Sequence, residues 1–215
     1  MSLLIQTSDK KTETSSEIWG EIFKLQAELN QTVFRERNIE ENSLVLPAFW
    51  GAYGPQDLLL FDKEGRVVPE VETWIGRLTH ALWHEVEELE QALGINQILE
   101  ETIDCVHFAV SLAYLLRVDS KNLALQNKEI FTSKRDIHNS LIETIVKIER
   151  KLNWKWWSAK KKDVIVSDLR PLAEVLLNTL TRNFYAHHLS LTNLLERYKE
   201  KREKNFERIR TGYSA

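Results

Sequence analysis

Apolar residues recur at helical spacing through most of this sequence, and little in the chain would interrupt long helices. The 215 residues include only 7 glycines and 4 prolines, too few for many tight turns. The pattern predicts helices over residues 17–36, 70–94, 96–118, 136–152, 168–188 and 190–211. Gly94 should close the second helix, Pro171 should lie in the first turn of the fifth, and Ser190 should cap the last. We therefore expect an all-α fold, a bundle of long antiparallel helices.

One long irregular loop breaks the helical pattern between residues 38 and 72. Within it, the string LLLFDKEGRVV is typical of a short hairpin around residues 62–65. Residues 1–16 are polar and predict a flexible N-terminal arm that ends in a helix cap. Because no second core or internal repeat is visible, residues 17–215 are expected to form a single all-α domain.

The composition excludes several classes of protein. Lys and Arg number 29 against 32 Asp and Glu, so no global positive field exists to hold a nucleic acid, and none is expected as partner. A single cysteine, Cys105, rules out an intramolecular disulfide framework and a cysteine-built zinc site. We find neither a secretory signal pattern nor a run of roughly 18 apolar residues, so we expect no membrane partner and a cytoplasmic location.

Two consecutive helices carry acidic residues on faces that should be buried. At about 100° per residue, Glu85 and Glu88 fall on or beside the apolar stripe of the second helix. Glu101 and Asp104 share the inward face of the third helix, within the run TIDCVHFAVSLAYLL. That run is apolar almost all round, which is typical of a central helix. The sequence thus predicts four inward carboxylates.

Four buried like charges need a partner, because each loses solvation and repels the others. Neither helix offers a lysine or arginine on the same face. A divalent cation would resolve the conflict, and oxygen ligands without cysteine favour Mg²⁺, with Mn²⁺ as a substitute. Alternatively, some of these acids face solvent or pair with a distant Lys or Arg, which is the commoner outcome for a single Glu-x-x-Glu.

The last helix carries a polar stripe at the edge of its apolar face. Tyr198, Lys201, Asn205 and Arg208 cover an arc of about 80°. A cationic stripe beside the core suits an anionic ligand that lies between helices. The alternative is a solvated basic face on a terminal helix.

In the first helix, Gln26 and Asn30 lie at the centre of the apolar stripe. Buried amides need partners, and two side-chain amides could read the donor and acceptor edge of a pyrimidine. Amides satisfied by the backbone of a core are at least as common. His107 falls about 120° from Glu101 and should be a supporting residue, and no other histidine shows a spacing that predicts a ligand.

These motifs together resemble a known family. Glu85-x-x-Glu88 followed by Glu101-x-x-Asp104 is similar to the metal-binding signature of the all-α nucleoside triphosphate pyrophosphatases, which include the dimeric dUTPases, dCTP pyrophosphatases and MazG-type enzymes. Three further strings resemble the dimeric dUTPases: KLQAELNQ, Asp104-x-x-His107-Phe108, and Tyr198-x-x-Lys201-x-x-x-Asn205-x-x-Arg208-x-x-x-Gly212-Tyr213.

The chain departs from that family at three places. Arg202 stands where the family usually has Asn. The Lys-Trp-Trp element that normally lies between the carboxylate pairs is matched only later, at Lys155-Trp156-Trp157. Trp74 lies about one helical turn further from Glu85 than the family's tryptophan. These departures concern recognition of the base rather than the metal and phosphate residues.

The resemblance implies a homodimeric enzyme that uses Mg²⁺ to hydrolyse a deoxynucleoside triphosphate, dUTP first, to the monophosphate and pyrophosphate, and so cleanses the nucleotide pool. It implies that Glu85, Glu88, Glu101 and Asp104 hold the metal, with Glu85 and Glu88 catalytic and Glu88 accepting the proton. It assigns Tyr198, Lys201, Asn205 and Arg208 to phosphate or sugar, and Gln26, Asn30 and Phe108 to the base. Core packing is the alternative role for Phe108.

Other functions remain open at this point. A dCTP-directed or broader MazG-type pyrophosphatase would use the same site. A non-catalytic helical module could bind nucleic acid or a partner through Trp154 to Trp157 and the lysines at 160–162, an aromatic and basic cluster. A di-iron carboxylate bundle needs two Glu-x-x-His motifs, whereas this chain offers one Asp-x-x-His.

Overall fold

Six α-helices and one short 3₁₀ turn form the described part of the chain, which comprises residues 14–36, 60–123, 133–152 and 162–212 of a computed structural model. The helices are α1 (Ser15–Glu36), α2 (Pro69–Gln91), α3 (Ile95–Leu115), α4 (Lys134–Lys151), α5 (Val166–Ala186) and α6 (Leu191–Thr211), with the 3₁₀ turn at Ser120–Leu123. The expected all-α helical bundle is confirmed. Most of the predicted arm, most of the predicted long loop and the Trp154 to Trp157 cluster lie outside the described residues.

The third helix is the centre of the bundle. It packs against α1, α2, α5 and α6, while α4 completes the assembly against α2 and α5. Every side chain of α3 from Ala109 to Leu115 is buried. This follows from its sequence, because a helix that is apolar all round can bury all of its faces only when other helices surround it. The carboxylates of α3 are therefore carried into the interior.

The hairpin predicted around residues 62–65 is present. An antiparallel bridge joins Phe61 to Val67, and the Gly65 N–H donates to the Asp62 carbonyl at 3.0 Å, with Gly65 in the left-handed region at φ +75°. The hairpin also holds the start of α5, because the Val166 N–H donates to the Gly65 carbonyl at 3.0 Å.

Helix ends differ from the predictions by up to three residues, and two of the differences change the position assigned to a named residue. The second helix ends at Gln91, and Gly94, with φ +88°, lies immediately before α3 instead of closing α2. The fifth helix begins at Val166, where the hairpin anchors it, so Pro171 lies in its second turn rather than its first. The start of α6 agrees with the prediction, since Ser190 and Asn193 form a reciprocal capping box. Among the described helices, none combines the length and apolarity needed to cross a membrane.

Candidate functional site

Three of the four predicted metal ligands form one acidic cluster between α2 and α3. The two helices are joined by residues 92–94 and run antiparallel, which brings positions 85 and 88 opposite positions 104 and 101. Glu85, Glu88 and Glu101 each offer a carboxylate oxygen, and these oxygens lie within 4.8 Å of one another. A donor set made only of carboxylate oxygens fits a hard divalent ion such as Mg²⁺ or Mn²⁺.

The fourth predicted ligand, Asp104, is paired with a lysine. Its Oδ2 atom accepts a hydrogen bond from Lys201 Nζ on α6 at 2.6 Å, and the same Nζ lies 3.3 Å from Glu100 Oε1. The Lys201 side chain is only 9% exposed. Part of the acidic charge is therefore neutralised by a distant lysine, which was the alternative left open for these residues.

The exposure of the acids differs from the expectation of four buried charges. Glu85 and Glu101 are half-buried and the Asp104 side chain is 18% exposed, but Glu88 is exposed. The prediction that Glu88 is buried is wrong, because this residue lies at the edge of the apolar stripe, where its carboxylate keeps contact with water. Glu88 therefore needs no counter-ion of its own, whereas Glu85 and Asp104 do.

The protonation of the cluster reflects this burial. Burial, followed by the charges of Asp104, Glu88 and Glu101, raises the pKa of Glu85 from 4.5 to about 7. Burial also raises the pKa of Glu101, with help from Asp104 and Glu88. For Asp104, burial raises the pKa and the Lys201 ammonium offsets only part of the rise. The acidic cluster consequently lacks enough positive charge to hold all of its carboxylates ionised.

Lys201 itself stays charged. Burial acts to lower its pKa, but the hydrogen bonds and charges of Asp104 and Glu100 outweigh that effect and leave the pKa raised. In turn Lys201 lowers the pKa of Glu100, which is more exposed than Asp104. The lysine is thus a fixed cation at the boundary between the acidic cluster and α6.

A cavity of about 760 Å³ brings the predicted site residues together. Ten of the eleven line it: Gln26, Asn30, Glu85, Glu88, Glu101, Asp104, Phe108, Lys201, Asn205 and Arg208. The cavity lies between α1, α2, α3 and α6, so its walls come from residues far apart in sequence. Its volume is in the range of pockets that hold nucleotide-sized ligands.

Tyr198 is the exception. Its side chain is fully buried, and it does not line the cavity. The phenol hydroxyl donates to Gln26 Oε1, and the ring stacks on His107 with centroids 4.4 Å apart. The prediction that Tyr198 contacts phosphate or sugar is therefore corrected, because in this structure its hydroxyl is used to hold an amide of α1.

Gln26 is the centre of a polar network behind the cavity. Its Oε1 also accepts from His107 Nδ1 at 2.7 Å, and its Nε2 donates to Asn30 Oδ1 at 2.7 Å. Asn30 Nδ2 donates to Ser111 Oγ at 3.3 Å. The two amides thus have side-chain partners, which fixes which of their atoms can donate or accept toward a ligand.

The network also fixes the state of His107. Because Nδ1 donates to Gln26 and burial lowers the pKa of the imidazole to about 3, the ring is neutral and Nε2 is an acceptor. This Nε2 has no hydrogen-bond partner among the described residues. This buried acceptor belongs to a residue that lines the cavity, although the nitrogen itself is covered by protein atoms.

Replacing Tyr198 with phenylalanine should lower the free energy of unfolding by about 1 kcal/mol, because it deletes one buried hydrogen bond while His107 continues to satisfy Gln26. Urea denaturation would measure the change. Tyr185→Phe is the matched control, since Tyr185 is 41% exposed on α5. Equal stabilities for the two variants would contradict the role assigned to the Tyr198 hydroxyl.

Five further residues line the cavity that sequence reasoning did not assign to the site: Glu100, Ser111, Leu29, Val33 and Leu78. Glu100 precedes Asp104 by four residues and Ser111 follows it by seven, and these spacings put Glu100, Asp104 and Ser111 on neighbouring parts of one helix face. This signal was available but was obscured, for Glu100, by the adjacent Glu101. Trp74, which is displaced relative to the family's tryptophan, also lines the cavity.

The cavity joins three kinds of chemistry: an acidic cluster, a cationic edge formed by Lys201 and Arg208, and an amide and imidazole network. Carboxylates suit a divalent cation, cations suit phosphate, and the network suits a base with polar edges. Comparison of the chain with protein-family models, curated proteins and solved structures gives no match. The function is therefore argued from the side chains of the site.

Proposed function

We propose that this protein hydrolyses a deoxynucleoside triphosphate, dUTP before others, to the monophosphate and pyrophosphate with Mg²⁺. One observation carries the proposal: a single cavity of about 760 Å³ is lined by the acidic cluster, by Lys201 and Arg208, and by the amides of Gln26 and Asn30. A nucleoside triphosphate matches all three. Its phosphate chain binds a metal ion and carries negative charge that suits the two cations, and its base has hydrogen-bonding edges that suit the amides. The motif resemblance supports the same conclusion.

Glu85, Glu88 and Glu101 would hold the ion, and Asp104 would join them when its lysine is engaged elsewhere. An ion held there would supply Lewis-acid chemistry, which neutralises negative charge on phosphate and makes a water molecule more acidic. Glu88 is the best placed of the four to accept the proton of that water, because it is the exposed one and can pass the proton to solvent.

Lys201 has two possible sets of anionic partners. In the free protein its Nζ donates to Asp104 at 2.6 Å and lies 3.3 Å from Glu100. A phosphate oxygen entering the cavity would compete for the same donor, and Arg208 lines the cavity beside it. When Lys201 turns to phosphate, the Asp104 carboxylate is released toward the acidic cluster. Substrate and cation binding would then favour each other.

In the same cavity, His107 would act as an acceptor for the base. Its neutral Nε2 lacks a partner among the described residues but is covered in the free protein, so a base N–H group would satisfy it once the side chains around it move aside. Asn30 and Gln26 retain N–H groups that could donate to base carbonyls, and Phe108 lines the cavity beside them. Uracil, which carries an N–H between two carbonyls, satisfies this arrangement.

The test is the release of pyrophosphate from dUTP, dCTP, dTTP, dATP, dGTP and the ribonucleotides, with Mg²⁺ and with EDTA. We expect turnover of dUTP that EDTA abolishes. Glu88→Gln should lower kcat by about 100-fold or more, the loss typical of a positioned proton acceptor. Glu87→Gln is the matched control, because Glu87 is on the same helix but does not line the cavity.

Each outcome of that panel has a distinct meaning. Turnover of dCTP, or of many nucleotides, would favour the dCTP-directed or MazG-type alternative at the same site. No Mg²⁺-dependent release from any nucleotide would contradict the proposed function. The proposal retains the homodimer that the resemblance implies.

A further inference from the structure

His80 and His84 form a pair on the exposed side of α2. The two residues are four positions apart, and their Nε2 atoms lie 3.3 Å from each other. The rings meet edge to face, with centroids 4.7 Å apart and an interplanar angle of 85°. Both side chains are exposed, and neither lines the cavity that contains the acidic cluster. The pair is therefore a separate feature of the same helix.

The separation of the two nitrogens matches that of two ligands on one metal ion. Zinc binds imidazole nitrogen at about 2.0–2.1 Å, and two such nitrogens at a tetrahedral angle stand about 3.4 Å apart. The observed 3.3 Å is within a tenth of that value. Two histidines at i and i+4 on a helix also supply the nitrogen ligands of helical zinc motifs. Sequence analysis assigned these histidines no ligand role, and the short distance between their nitrogens is the observation that suggests one.

We propose that His80 and His84 form a two-nitrogen chelate for a borderline transition-metal ion, with Zn²⁺ as the representative and water completing its coordination. Imidazole nitrogen suits Zn²⁺, Cu²⁺ and Ni²⁺, whereas the carboxylate oxygens of the acidic cluster suit Mg²⁺ and Mn²⁺. The chain therefore separates two classes of metal by donor type. This inference is independent of the proposed nucleotide hydrolysis.

A metal bound here would act on the helix that carries the acidic cluster. It would link two successive turns of α2, and His84 immediately precedes Glu85. Because the two nitrogens are brought together only in the helical conformation, binding favours the folded chain and should raise its midpoint of thermal unfolding. The chelate would thus stabilise α2 without entering the cavity.

Calorimetric titration of the full chain with Zn²⁺ tests the proposal. We expect one ion per chain. Loss of an outer-shell partner alone typically costs about 10–100-fold in metal affinity, so His80→Ala and His84→Ala should each cost no less. His187→Ala, at the end of α5, is the matched control and should bind Zn²⁺ as the unaltered chain does. With Cu²⁺ as the probe, electron paramagnetic resonance should show coupling to two imidazole nitrogens, which each alanine variant reduces.

Two results would overturn the chelate. Absence of Zn²⁺ binding would mean that the 3.3 Å contact is only a hydrogen bond between the two imidazoles. Binding that survives both alanine substitutions but is lost in Glu88→Gln would place the ion in the acidic cluster. Because the readout is Zn²⁺ affinity, failure of nucleotide hydrolysis would not affect the result, and loss of the chelate would leave the proposed function standing.

Discussion

Glutamine in place of Glu85 should raise the free energy of unfolding at pH 8 by about 1–2 kcal/mol while abolishing nucleotide hydrolysis. Glu85 is half-buried beside three other carboxylates, and burial together with their charges raises its pKa from 4.5 to about 7. At pH 8 this group is ionised in the folded protein, and its burial and the neighbouring negative charges make that state unfavourable. A neutral amide of nearly the same shape removes the conflict.

The sign of the pH dependence follows from the direction of the shift. A carboxyl group whose pKa is higher in the folded than in the unfolded protein binds protons more tightly when folded. Its contribution to stability therefore falls as the pH rises from 4.5 to about 7, and the loss is complete above that range. A shift of this size corresponds to ~3 kcal/mol, and we expect less because solvent screens a half-buried group.

Denaturant unfolding at pH 8 and pH 4, with EDTA present at both, would measure the effect. The gain of Glu85→Gln over the unaltered protein should be present at pH 8 and nearly absent at pH 4, where Glu85 is protonated in both states. Glu87→Gln, which removes a charge from the same helix outside the cavity, controls for net charge. A loss of stability in Glu85→Gln at pH 8 would mean that the carboxylate has a structural role.

The fold could be predicted because its main determinant is local. Apolar spacing along each helix and the scarcity of glycine and proline predict the bundle, and the all-round apolar run of α3 predicts its central position. Helix ends were less accurate because they depend on contacts between distant segments. The start of α5 is held by a hairpin about 100 residues away, which no pattern around Pro171 reveals.

The helix face on which each site residue lies could be predicted, but the burial of its side chain could not. Helical angles brought Glu85, Glu101 and Asp104 to the inward faces, and the structure has them around one cavity. The same angles placed Tyr198 beside Lys201, yet Tyr198 is behind the cavity wall and Lys201 is in it. How far a side chain lies below the surface depends on which helix covers it, and that is a property of the packing.

The partner of Asp104 was also beyond sequence reasoning. Lys201 follows Asp104 by 97 positions in the chain, and the contact exists only because α6 packs against α3. Sequence analysis correctly found that α2 and α3 carry no lysine or arginine on the face of their carboxylates. It could not decide whether a metal or a distant lysine supplies it, and the arrangement of Asp104 between Lys201 and the acidic cluster allows both in turn.

Replacing Lys201 with methionine should lower the free energy of unfolding by about 3 kcal/mol at pH 8 in EDTA, because it leaves the buried Asp104 carboxylate without its partner. The two side chains are 9% and 18% exposed and their charged atoms lie 2.6 Å apart, so water cannot replace the ammonium fully. Removal of one member of a buried pair is costly, whereas removal of both is much less so. Asp104→Asn in the same chain should therefore restore most of the loss.

Lys204→Met is the matched control, because Lys204 is 62% exposed and its Nζ lies 3.8 Å from Glu100 Oε1. Its loss should change the free energy of unfolding by no more than about 0.5 kcal/mol. Urea unfolding of the two single variants and of the double variant gives the coupling between Lys201 and Asp104. If Lys201→Met is as stable as Lys204→Met, Asp104 is hydrated and the ion pair has no energetic role.

Added Mg²⁺ extends this experiment to the proposed function. Under the proposed function, Lys201 would compete with the cation for Asp104 in the unaltered protein, whereas in Lys201→Met the carboxylate would be free to join Glu85, Glu88 and Glu101. Mg²⁺ should then stabilise the methionine variant more than the unaltered protein, even though under the proposed function the variant would lack a phosphate contact and would turn over nucleotide slowly. Equal stabilisation of the two proteins by Mg²⁺ would mean that Asp104 does not bind the cation. Lys201 would then be only a structural partner of Asp104, because no cation takes the place of its ammonium group.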